Sequence, residues 1–503
     1  MVSSERRRVA VLGAGASGVF SAAHLIASGI EVEVFERNAA PGGIWLYDER
    51  PALPPPFPSM KPSEADRPWL GSEDEEEIAL RRAPPGPCYE NLRTNVPTQL
   101  MAVTLLDVPL STPEYVPHGQ VLDYIQEISS KYGVQDATTF GAQVEKVKKV
   151  DERWVVTWTM APRRNEDGNL VEMERHSTLE YICSSTLTKD FDAVVVATGH
   201  YHAPRVPDMP GLSATAKRYP SRVMHSKQKG TNNLASKQKK EAEADVGKLE
   251  KTVLILGGGV SSVDIAEDMS VARHIYQSTR NSSFDLDQRM LPKNASRVDQ
   301  VISLQISKTH RTLRDNEPLP ILAKMSNGET LGGIDFILMC TGYHISLPFL
   351  QDYHNDDLPL EEADERILVT EGTQVHNLHK DIFYISDPTL AFVGLPYYTF
   401  THSVFDFQAI TVALVFSGVV DLPDQAEMRA EYEDKVKEVG LGKTFHSLLG
   451  KEEVYVKDLV SWINQGRASR NLKPIPGFSA NWYAAKEALR QKYREQSQTG
   501  DFS

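Results

Sequence analysis

The stretch Val9-Ala10-Val11-Leu12-Gly13-Ala14-Gly15-Ala16-Ser17-Gly18 decides the fold of this chain, because it joins an apolar strand to the pattern G-x-G-x-x-G. After it, Val19, Ala23 and Ile26 recur at the spacing of one helix face. Glycines in such a strand–loop–helix unit permit a tight turn, the close approach of a pyrophosphate and close packing of helix on strand. The helix N-terminus then presents N–H groups to the phosphates. The stretch therefore predicts a nucleotide-binding βαβ unit, with a glycine-rich turn that binds nothing as the alternative.

A second unit of the same kind begins near the middle of the chain. The strand Val253-Leu254-Ile255-Leu256 runs into Gly257-Gly258-Gly259-Val260-Ser261-Ser262, which matches G-x-G-x-x-small. Ser262 fits because the third position needs only a small residue. Two such loops in one chain indicate that two different dinucleotides bind, and we predict a flavin and a nicotinamide.

The residues that follow the second strand of each unit assign the two nucleotides. Glu36 ends Glu31-Val32-Glu33-Val34-Phe35-Glu36 about 20 residues after the first loop, where a carboxylate accepts hydrogen bonds from ribose hydroxyls. The strand His274-Ile275-Tyr276-Gln277-Ser278 leads instead to Arg280, whose guanidinium can bind a 2′-phosphate, although a surface arginine is the alternative. We predict FAD on the first loop and NADPH, in preference to NADH, on the second.

Composition excludes several classes of protein. At 503 residues the chain is long enough for two or three domains, and its net charge of -14 without a basic tract argues against nucleic acid as a partner. Its three cysteines form no C-x-x-C pair, which predicts neither a disulfide scaffold nor a redox dithiol, and no metal site is predicted. No apolar stretch of signal-peptide length stands before the first strand in this sequence, and the apolar run at residues 409–420 is too short to cross a bilayer. We expect a cytoplasmic protein without a membrane anchor that acts on a small molecule.

Two apolar strands that end in Thr-Gly mark the expected domain boundaries. They close on Thr198-Gly199 and Thr341-Gly342, and we interpret both as places where the chain crosses between domains. The predicted fold class is α/β, with an FAD-binding Rossmann-like domain at residues 1–203 and 344–503. A second Rossmann-like domain for NADPH is inserted at residues 204–343, as in the glutathione-reductase-like architecture.

Two segments are expected to be surface insertions. Residues 51–87 are rich in proline and carry the acidic run Glu73-Asp74-Glu75-Glu76-Glu77. Residues 226–251 are rich in lysine and poor in apolar side chains, which is typical of segments that build no core. Neither composition points to a ligand.

Two further stretches offer candidate site residues. Pro41-Gly42-Gly43-Ile44-Trp45 lets backbone approach a flat ligand with Trp45 beside it, although a tight turn with a core tryptophan fits equally well. The loop Tyr89-Glu90-Asn91-Leu92-Arg93-Thr94-Asn95-Val96-Pro97 contains Asn95, which offers a donor and an acceptor and is also typical of a turn-capping asparagine.

In their order, these motifs resemble those of the flavin-containing monooxygenases, especially the soluble fungal and plant-type members. The resemblance runs from the first strand to beyond residue 420. The matching motifs are Gly13-x-Gly15-x-x-Gly18, Gly43-x-Trp45, Tyr89-x-x-Leu92-x-Thr94-Asn95, Ala197-Thr198-Gly199-His200-Tyr201, Gly257-x-Gly259-x-Ser261-Ser262-x-Asp264, Cys340-Thr341-Gly342-Tyr343 and Phe405-Asp406-x-Gln408-Ala409.

The resemblance implies a chemistry and a set of site residues. NADPH reduces FAD, the reduced flavin reacts with O₂ to give a C4a-hydroperoxyflavin, and a thiol, thioether or amine of a sulfur metabolite or natural-product intermediate takes the distal oxygen. Asn95 is implied as the catalytic residue at the flavin. The cofactor-binding residues implied are Gly13, Ala14, Gly15, Ala16, Ser17, Gly18, Glu36, Gly43, Ile44, Trp45, Thr94, Asn95, Thr198, Gly257, Gly259, Val260, Ser261, Ser262, Arg280, Thr341 and Gln408.

One departure from the family leaves the subclass open. The family signature F-x-G-x-x-x-H-x-x-x-(Y/F) is reduced here to His225, with Tyr219 in place of the phenylalanine, and no Trp-Pro pair follows as in Baeyer–Villiger enzymes. A Baeyer–Villiger or N-hydroxylating monooxygenase is therefore an alternative. A flavin disulfide reductase lacks its cysteine pair, and a nucleotide-binding regulatory protein without turnover is the non-enzymatic alternative.

Overall fold

The computed structural model describes residues 7–66, 74–160, 186–228, 249–307, 313–314 and 317–499. The strands in these residues are β1 (Arg8–Leu12), β2 (Glu31–Glu36), β3 (Thr138–Phe140), β4 (Ala142–Val150), β5 (Arg153–Met160), β6 (Thr186–Phe191), β7 (Ala193–Val196), β8 (Ala203–Pro204), β9 (Val223–His225), β10 (Leu249–Leu256), β11 (Ala272–Ser278), β12 (Ala295–Val298), β13 (Val301–Ile306), β14 (Ile321–Met325), β15 (Thr330–Leu331), β16 (Phe336–Met339), β17 (Tyr343–His344), β18 (Leu378–His379), β19 (Phe383–Tyr384) and β20 (Leu390–Phe392). The helices are α1 (Ala16–Ala27), α2 (Pro62–Ala65), α3 (Glu75–Arg82), α4 (Thr98–Met101), α5 (His118–Lys131), α6 (Leu212–Arg218), α7 (Val260–Asp268), α8 (Thr401–Phe416), α9 (Gln425–Val439), α10 (Glu452–Ser469) and α11 (Ala480–Thr499).

The chain divides into two compact units. The first consists of Met1–Tyr47, Pro68–His200 and Ile345–Arg490, and the second of Asp48–Arg67, Tyr201–His344 and Gln491–Ser503. The two crossing points lie within a few residues of the Thr-Gly pairs that suggested them. The FAD and NADPH roles assigned to the two domains stay predictions at this point.

The two predicted insertions are only partly described. In the first, Ser59 belongs to the second unit, because its N–H donates to Val206 O at 3.0 Å and its hydroxyl to Pro204 O at 2.7 Å. Part of residues 51–87 is therefore packed within the second unit. Most of residues 226–251 lie outside the described residues.

A seven-stranded sheet forms the centre of the first unit. Its order is β18-β19-β20-β7-β1-β2-β3, with β20, β7, β1, β2 and β3 parallel. The alternate residues of β1 pack on opposite faces: Val9 and Val11 against α1, α5 and α8, and Ala10 and Leu12 against the antiparallel sheet β4-β5-β6. Because β1, β2 and β7 end at one edge, the first glycine loop, Glu36 and Ala197 come together there.

The second unit has a five-stranded sheet in which every pair is parallel, in the order β12-β11-β10-β16-β9. The carboxyl ends of β10, β11 and β16 carry the second glycine loop, the Arg280 segment and Thr341. The carboxyl edge of the strands is where open α/β sheets bind ligands. The predicted α/β fold class with two Rossmann-like domains is confirmed.

Candidate dinucleotide-binding sites

Two glycines of the first loop, Gly13 and Gly18, are required by the backbone around them. Gly13 has a φ of +99°, and a Cβ there would lie 2.7 Å from the carbonyl oxygen of Ala197. A Cβ on Gly18 would lie 1.9 Å from the carbonyl oxygen of Gly13, so α1 can approach β1 only without a side chain. Gly15 faces Gly43, whose Cα would lie 3.4 Å from an added Cβ. The loop and the Gly-Gly turn thus form a bare backbone surface that fits a pyrophosphate.

Glu36 is attached to this loop by its carboxylate. Oε2 accepts the N–H of Ala14 at 2.6 Å, and Oε1 accepts the backbone and side-chain N–H groups of Asn38 at 2.8 and 2.7 Å. Gly15, the N-cap of α1, is extended and supplies no side-chain cap, so the N–H groups from Ala16 onward face the loop without one. The buried carboxylate and the uncapped helix end are the features that a dinucleotide requires.

Gln408 supports the loop through an intermediate residue, Gly394, which the sequence did not single out. Its Oε1 accepts the N–H of Gly394 at 3.1 Å, and its Nε2 donates to the Tyr455 hydroxyl at 2.8 Å. Gly394 has a φ of +103°, and a Cβ there would lie 3.0 Å from the side chain of Ser17. The described contacts therefore make Gln408 a positioning residue behind Ser17.

A buried histidine adjoins the Gly-Gly turn. The ring of His402, in the first turn of α8, lies 6.0 Å from that of Trp45 and 5.7 Å from that of Phe20. Burial lowers the pKa of His402 to about 4, so its imidazole is neutral near pH 7. Ile44, between the turn and Trp45, is 40% exposed. Sequence reasoning missed His402, which no motif marks.

The remaining predicted residues of the first unit lie on loops. The Thr94 hydroxyl accepts the Val116 N–H at 3.1 Å, which fixes the loop before α4. Asn95 is exposed and makes no hydrogen bond to a described residue, while its neighbour Val96 packs in an aromatic cluster with α11. Thr198 is exposed after β7. Their roles at a flavin stay predictions.

The second glycine loop repeats the geometry of the first. Gly257 has a φ of +126°, and a Cβ there would lie 2.2 Å from the carbonyl oxygen of Cys340, as Gly13 meets Ala197. In both units the residue before a Thr-Gly pair therefore packs on the first glycine of a nucleotide loop. Sequence reasoning noted the two Thr-Gly pairs but not this contact.

In the second loop, Gly258 is tightly packed, whereas Gly259 borders open space. A Cβ on Gly258 would lie 2.6 Å from the Asp285 carboxylate, whereas one on Gly259 would meet no described atom within 4 Å. Gly259 is also the extended, uncapped N-cap of α7, whose first residues Val260 and Ser261 are exposed. This open backbone fits a second dinucleotide, and Ser262 beside it is fully buried.

Thr279 occupies in the second unit the place of Glu36 in the first. In each unit the N–H of the first loop glycine donates to the carbonyl oxygen of the residue just before this position, at 2.8 and 2.9 Å. Arg280, next along, is exposed and has no hydrogen-bond or ion-pair partner among the described residues. The structure thus leaves the position without a carboxylate and places beside it a guanidinium that no described residue pairs with. Thr341 is turned inward, since its hydroxyl donates to Arg205 O at 2.5 Å.

The thiol of Cys340, directly after β16, is protonated at neutral pH. Burial raises the pKa of Cys340 to about 12, and the Asp264 carboxylate adds to the shift. Burial also raises the pKa of Asp264 to about 6, with a contribution from Asp268. Because the thiolate is the reactive form, Cys340 is a poor redox nucleophile at neutral pH.

The comparisons with known proteins agree with this geometry. The fold and the two loops place the chain in the pyridine nucleotide-disulphide oxidoreductase class, whose family model matches residues 7–396. Flavin-containing monooxygenase ustF2 of Aspergillus flavus is 50% identical over 518 aligned residues, which cover 99% of each chain. Flavin-containing monooxygenase ustF1 of the same fungus is 38% identical, over 98% of this chain and 92% of that protein. The chain therefore belongs to the flavin-containing monooxygenases.

A solved structure shows the same fold at lower identity. The S-allyl-L-cysteine S-oxygenase from Allium sativum superposes with a TM-score of 0.66 at 22% identity, over 99% of this chain and 95% of that one. Family membership confirms the predicted enzyme class, a monooxygenase that uses FAD, NAD(P)H and O₂ on a small molecule, and the predicted two-domain flavoprotein architecture.

The described residues contain neither a membrane-spanning helix nor a cluster of metal ligands. None of the helices there combines the length and the apolar character that crossing a bilayer requires. Within the same residues, no three His, Cys, Asp or Glu side chains are grouped as a metal ion would need.

Proposed function

We propose that this enzyme takes electrons from NADPH in preference to NADH and transfers one oxygen atom of O₂ to a sulfur or nitrogen atom of a small molecule. The reaction consumes NADPH, O₂ and a proton, and it yields NADP⁺, water and the oxygenated substrate. FAD, when bound, supplies the oxygen activation. The observation that carries the proposal is the pair of bare glycine loops, one beside a buried glutamate and the other beside an arginine that pairs with no described residue.

Backbone N–H groups, a carboxylate and a guanidinium each bind a different part of the two cofactors. The N-termini of α1 and α7 bind the pyrophosphates of FAD and NADPH through backbone N–H groups. Glu36 holds the adenosine ribose of FAD, and Arg280 binds the 2′-phosphate of NADPH. Cys340 supports an oxygenase rather than a dithiol reductase, because burial raises the pKa of its thiol and so keeps it in the less reactive protonated form at neutral pH.

The transfer is tested with ¹⁸O₂ and three substrates. FAD-loaded protein is mixed with NADPH, ¹⁸O₂ and one of three substrates: S-allyl-L-cysteine, a tertiary amine or a cyclic ketone. Mass spectrometry then measures the ¹⁸O content of the product. The thioether is included because the Allium sativum protein of the same fold is named for it. One ¹⁸O atom in the sulfoxide or N-oxide supports the proposal. Label only in a lactone would identify a Baeyer–Villiger enzyme instead, and NADPH oxidation without labelled product from any nucleophile would contradict oxygen transfer.

Arg280→Ala is expected to remove the preference for NADPH. Loss of a charge-assisted contact to the 2′-phosphate raises the KM for NADPH by about 10- to 100-fold while the KM for NADH changes little. The control is Arg289→Ala, an exposed arginine of the same segment that is paired with Asp287 at 2.6 Å. Steady-state oxidation of both nucleotides measures the effect. Equal changes in the two KM values would refute the assignment of Arg280.

Asn95→Leu is expected to uncouple NADPH oxidation from oxygen transfer. If the amide of Asn95 stabilises the oxygenated state, its loss increases hydrogen peroxide release per NADPH by roughly tenfold, the worth of one hydrogen bond. Peroxide and NADPH are measured together. The matched control is Asn91→Leu, an exposed asparagine of the same loop. Unchanged coupling in Asn95→Leu would remove Asn95 from the site.

A further inference from the structure

Ser262 does more than fit the third position of the second loop. Its hydroxyl donates to the carbonyl oxygen of Gly259 at 2.6 Å and accepts the side-chain N–H of Gln277 at 2.9 Å. Both side chains are fully buried, with an exposed fraction of 0%. Because buried polar groups are costly when unpaired, these two bonds fix the turn at Gly259 against β11.

The same relay continues to the edge strand β12. Gln277 and Arg297 are paired in register between β11 and β12, and Arg297 Nε donates to Gln277 Oε1 at 2.9 Å. Arg297 Nη2 donates to the carbonyl oxygen of Leu286 at 2.6 Å. Leu286 returns to the glycine loop, since its N–H donates to Gly258 O at 2.8 Å. The hydrogen bonds therefore close a ring around the second glycine loop.

This ring includes the segment that follows Arg280. Asp285, just before Leu286, lies against Gly258, and the N–H and hydroxyl of Ser282 bond its two carboxylate oxygens at 3.0 and 2.9 Å. Among the described residues, no carboxylate lies within 4.0 Å of the Arg297 guanidinium. Arg297 thus uses its fork on an amide and a backbone carbonyl, a geometry that lysine cannot reproduce.

We propose that Arg297, acting through Gln277 and Ser262, is a positioning residue for the nicotinamide nucleotide. It holds the second glycine loop and the Arg280 segment in one arrangement, so that the pyrophosphate and the 2′-phosphate of NADPH are bound at the same time. Loss of the ring lets the Arg280 segment move relative to the loop. NADPH, which uses both parts, is then weakened more than NADH, which uses only the loop. This inference rests on the proposed binding of NADPH by the second loop.

The test is direct binding of NADP⁺ and NAD⁺ to the FAD-loaded protein by calorimetry, which does not depend on oxygen transfer. Arg297→Met is expected to weaken NADP⁺ by roughly tenfold and NAD⁺ by much less. Arg297→Lys, which keeps the charge but not the fork, is expected to behave like Arg297→Met. Arg273→Met, at an exposed arginine on β11, is the control and leaves both affinities unchanged.

A milder variant and a stability measurement keep the inference falsifiable. Ser262→Ala removes one link of the ring and is expected to shift the NADP⁺/NAD⁺ ratio in the same direction, whether or not Arg297→Met folds. Equal weakening of both nucleotides, or a lower melting temperature with unchanged affinities, would overturn the positioning role. Failure of the unaltered protein to prefer NADP⁺ would instead overturn the proposed NADPH preference.

Discussion

Gly18→Ala is expected to yield a protein that retains almost no FAD. The added Cβ would lie 1.9 Å from the carbonyl oxygen of Gly13, a backbone atom that no rotamer change can move away. Relief requires α1 to move off β1, and this displaces the N–H groups that we propose bind the pyrophosphate of FAD. The measurement is flavin absorbance per mole of purified protein, before and after incubation with excess FAD.

A matched control separates this effect from a general cost of alanine. Gly119 lies in the first turn of α5 with no atom within 4 Å of an added Cβ. Gly119→Ala is expected to keep full flavin content and to gain about 0.5–1 kcal/mol of stability, because alanine is the better helix former. Stoichiometric FAD in Gly18→Ala would show that the contact of α1 with β1 is not needed for flavin binding.

Lys435→Met is expected to destabilise the first unit strongly. Lys435, on α9, donates to both oxygens of Asp381 at 2.6 and 2.7 Å, and His446 Nδ1 lies 2.9 Å from one of them. Asp381 is 1% exposed, at the turn between β18 and β19. Removing one partner of a buried pair leaves an uncompensated charge and costs about 3–5 kcal/mol of unfolding free energy at neutral pH.

The pH dependence distinguishes this account from a simple loss of packing. Burial by itself raises the pKa of Asp381, but Lys435 and His446 outweigh it and hold that pKa well below its usual range. A depressed folded-state pKa gives stability that is present above the unfolded value of about 3.9 and is lost as the pH falls further. Without Lys435 the carboxyl takes up a proton at higher pH. The free-energy difference between variant and parent should therefore shrink on acidification.

Urea denaturation at several pH values measures both curves. The control is Lys437→Met, whose ammonium lies 2.8 Å from Asp434 on the same helix but is largely exposed, and it should not change stability measurably. A difference between Lys435→Met and the parent that stays constant with pH would contradict the electrostatic explanation.

The contacts that could be predicted from the sequence are those between residues within about 30 positions of each glycine loop, which is the length of one βαβ unit. Gly13, Gly18 and Glu36 are joined by one strand–helix–strand step, so their spacing alone indicates their contact. Arg280 was placed by the same reasoning, and the structure leaves it exposed and unpaired among the described residues. Local pattern was sufficient for these positions because a short connection between adjacent strands has few possible geometries.

Contacts that join distant parts of the chain were not predictable in this way. Gly394 and His402 approach the first loop from nearly 400 residues away, through a strand order that only the folded sheet reveals. Arg297 looks like an ordinary residue of an edge strand until its register with Gln277 is known. The family resemblance supplied Gln408 but not its reason, which is the hydrogen bond to Gly394.

The contact of Ala197 with Gly13, and of Cys340 with Gly257, has a consequence for exchanging parts of this enzyme. In both units the chain touches its own nucleotide loop and crosses to the other unit within five residues. The connector and the backbone that packs on each glycine loop are therefore one continuous piece of chain. In a chimera joined before Ala197 or before Cys340, one glycine loop would pack against backbone from the other parent. Junctions after the two Thr-Gly pairs would instead transplant the inserted unit while each loop keeps its own packing partner.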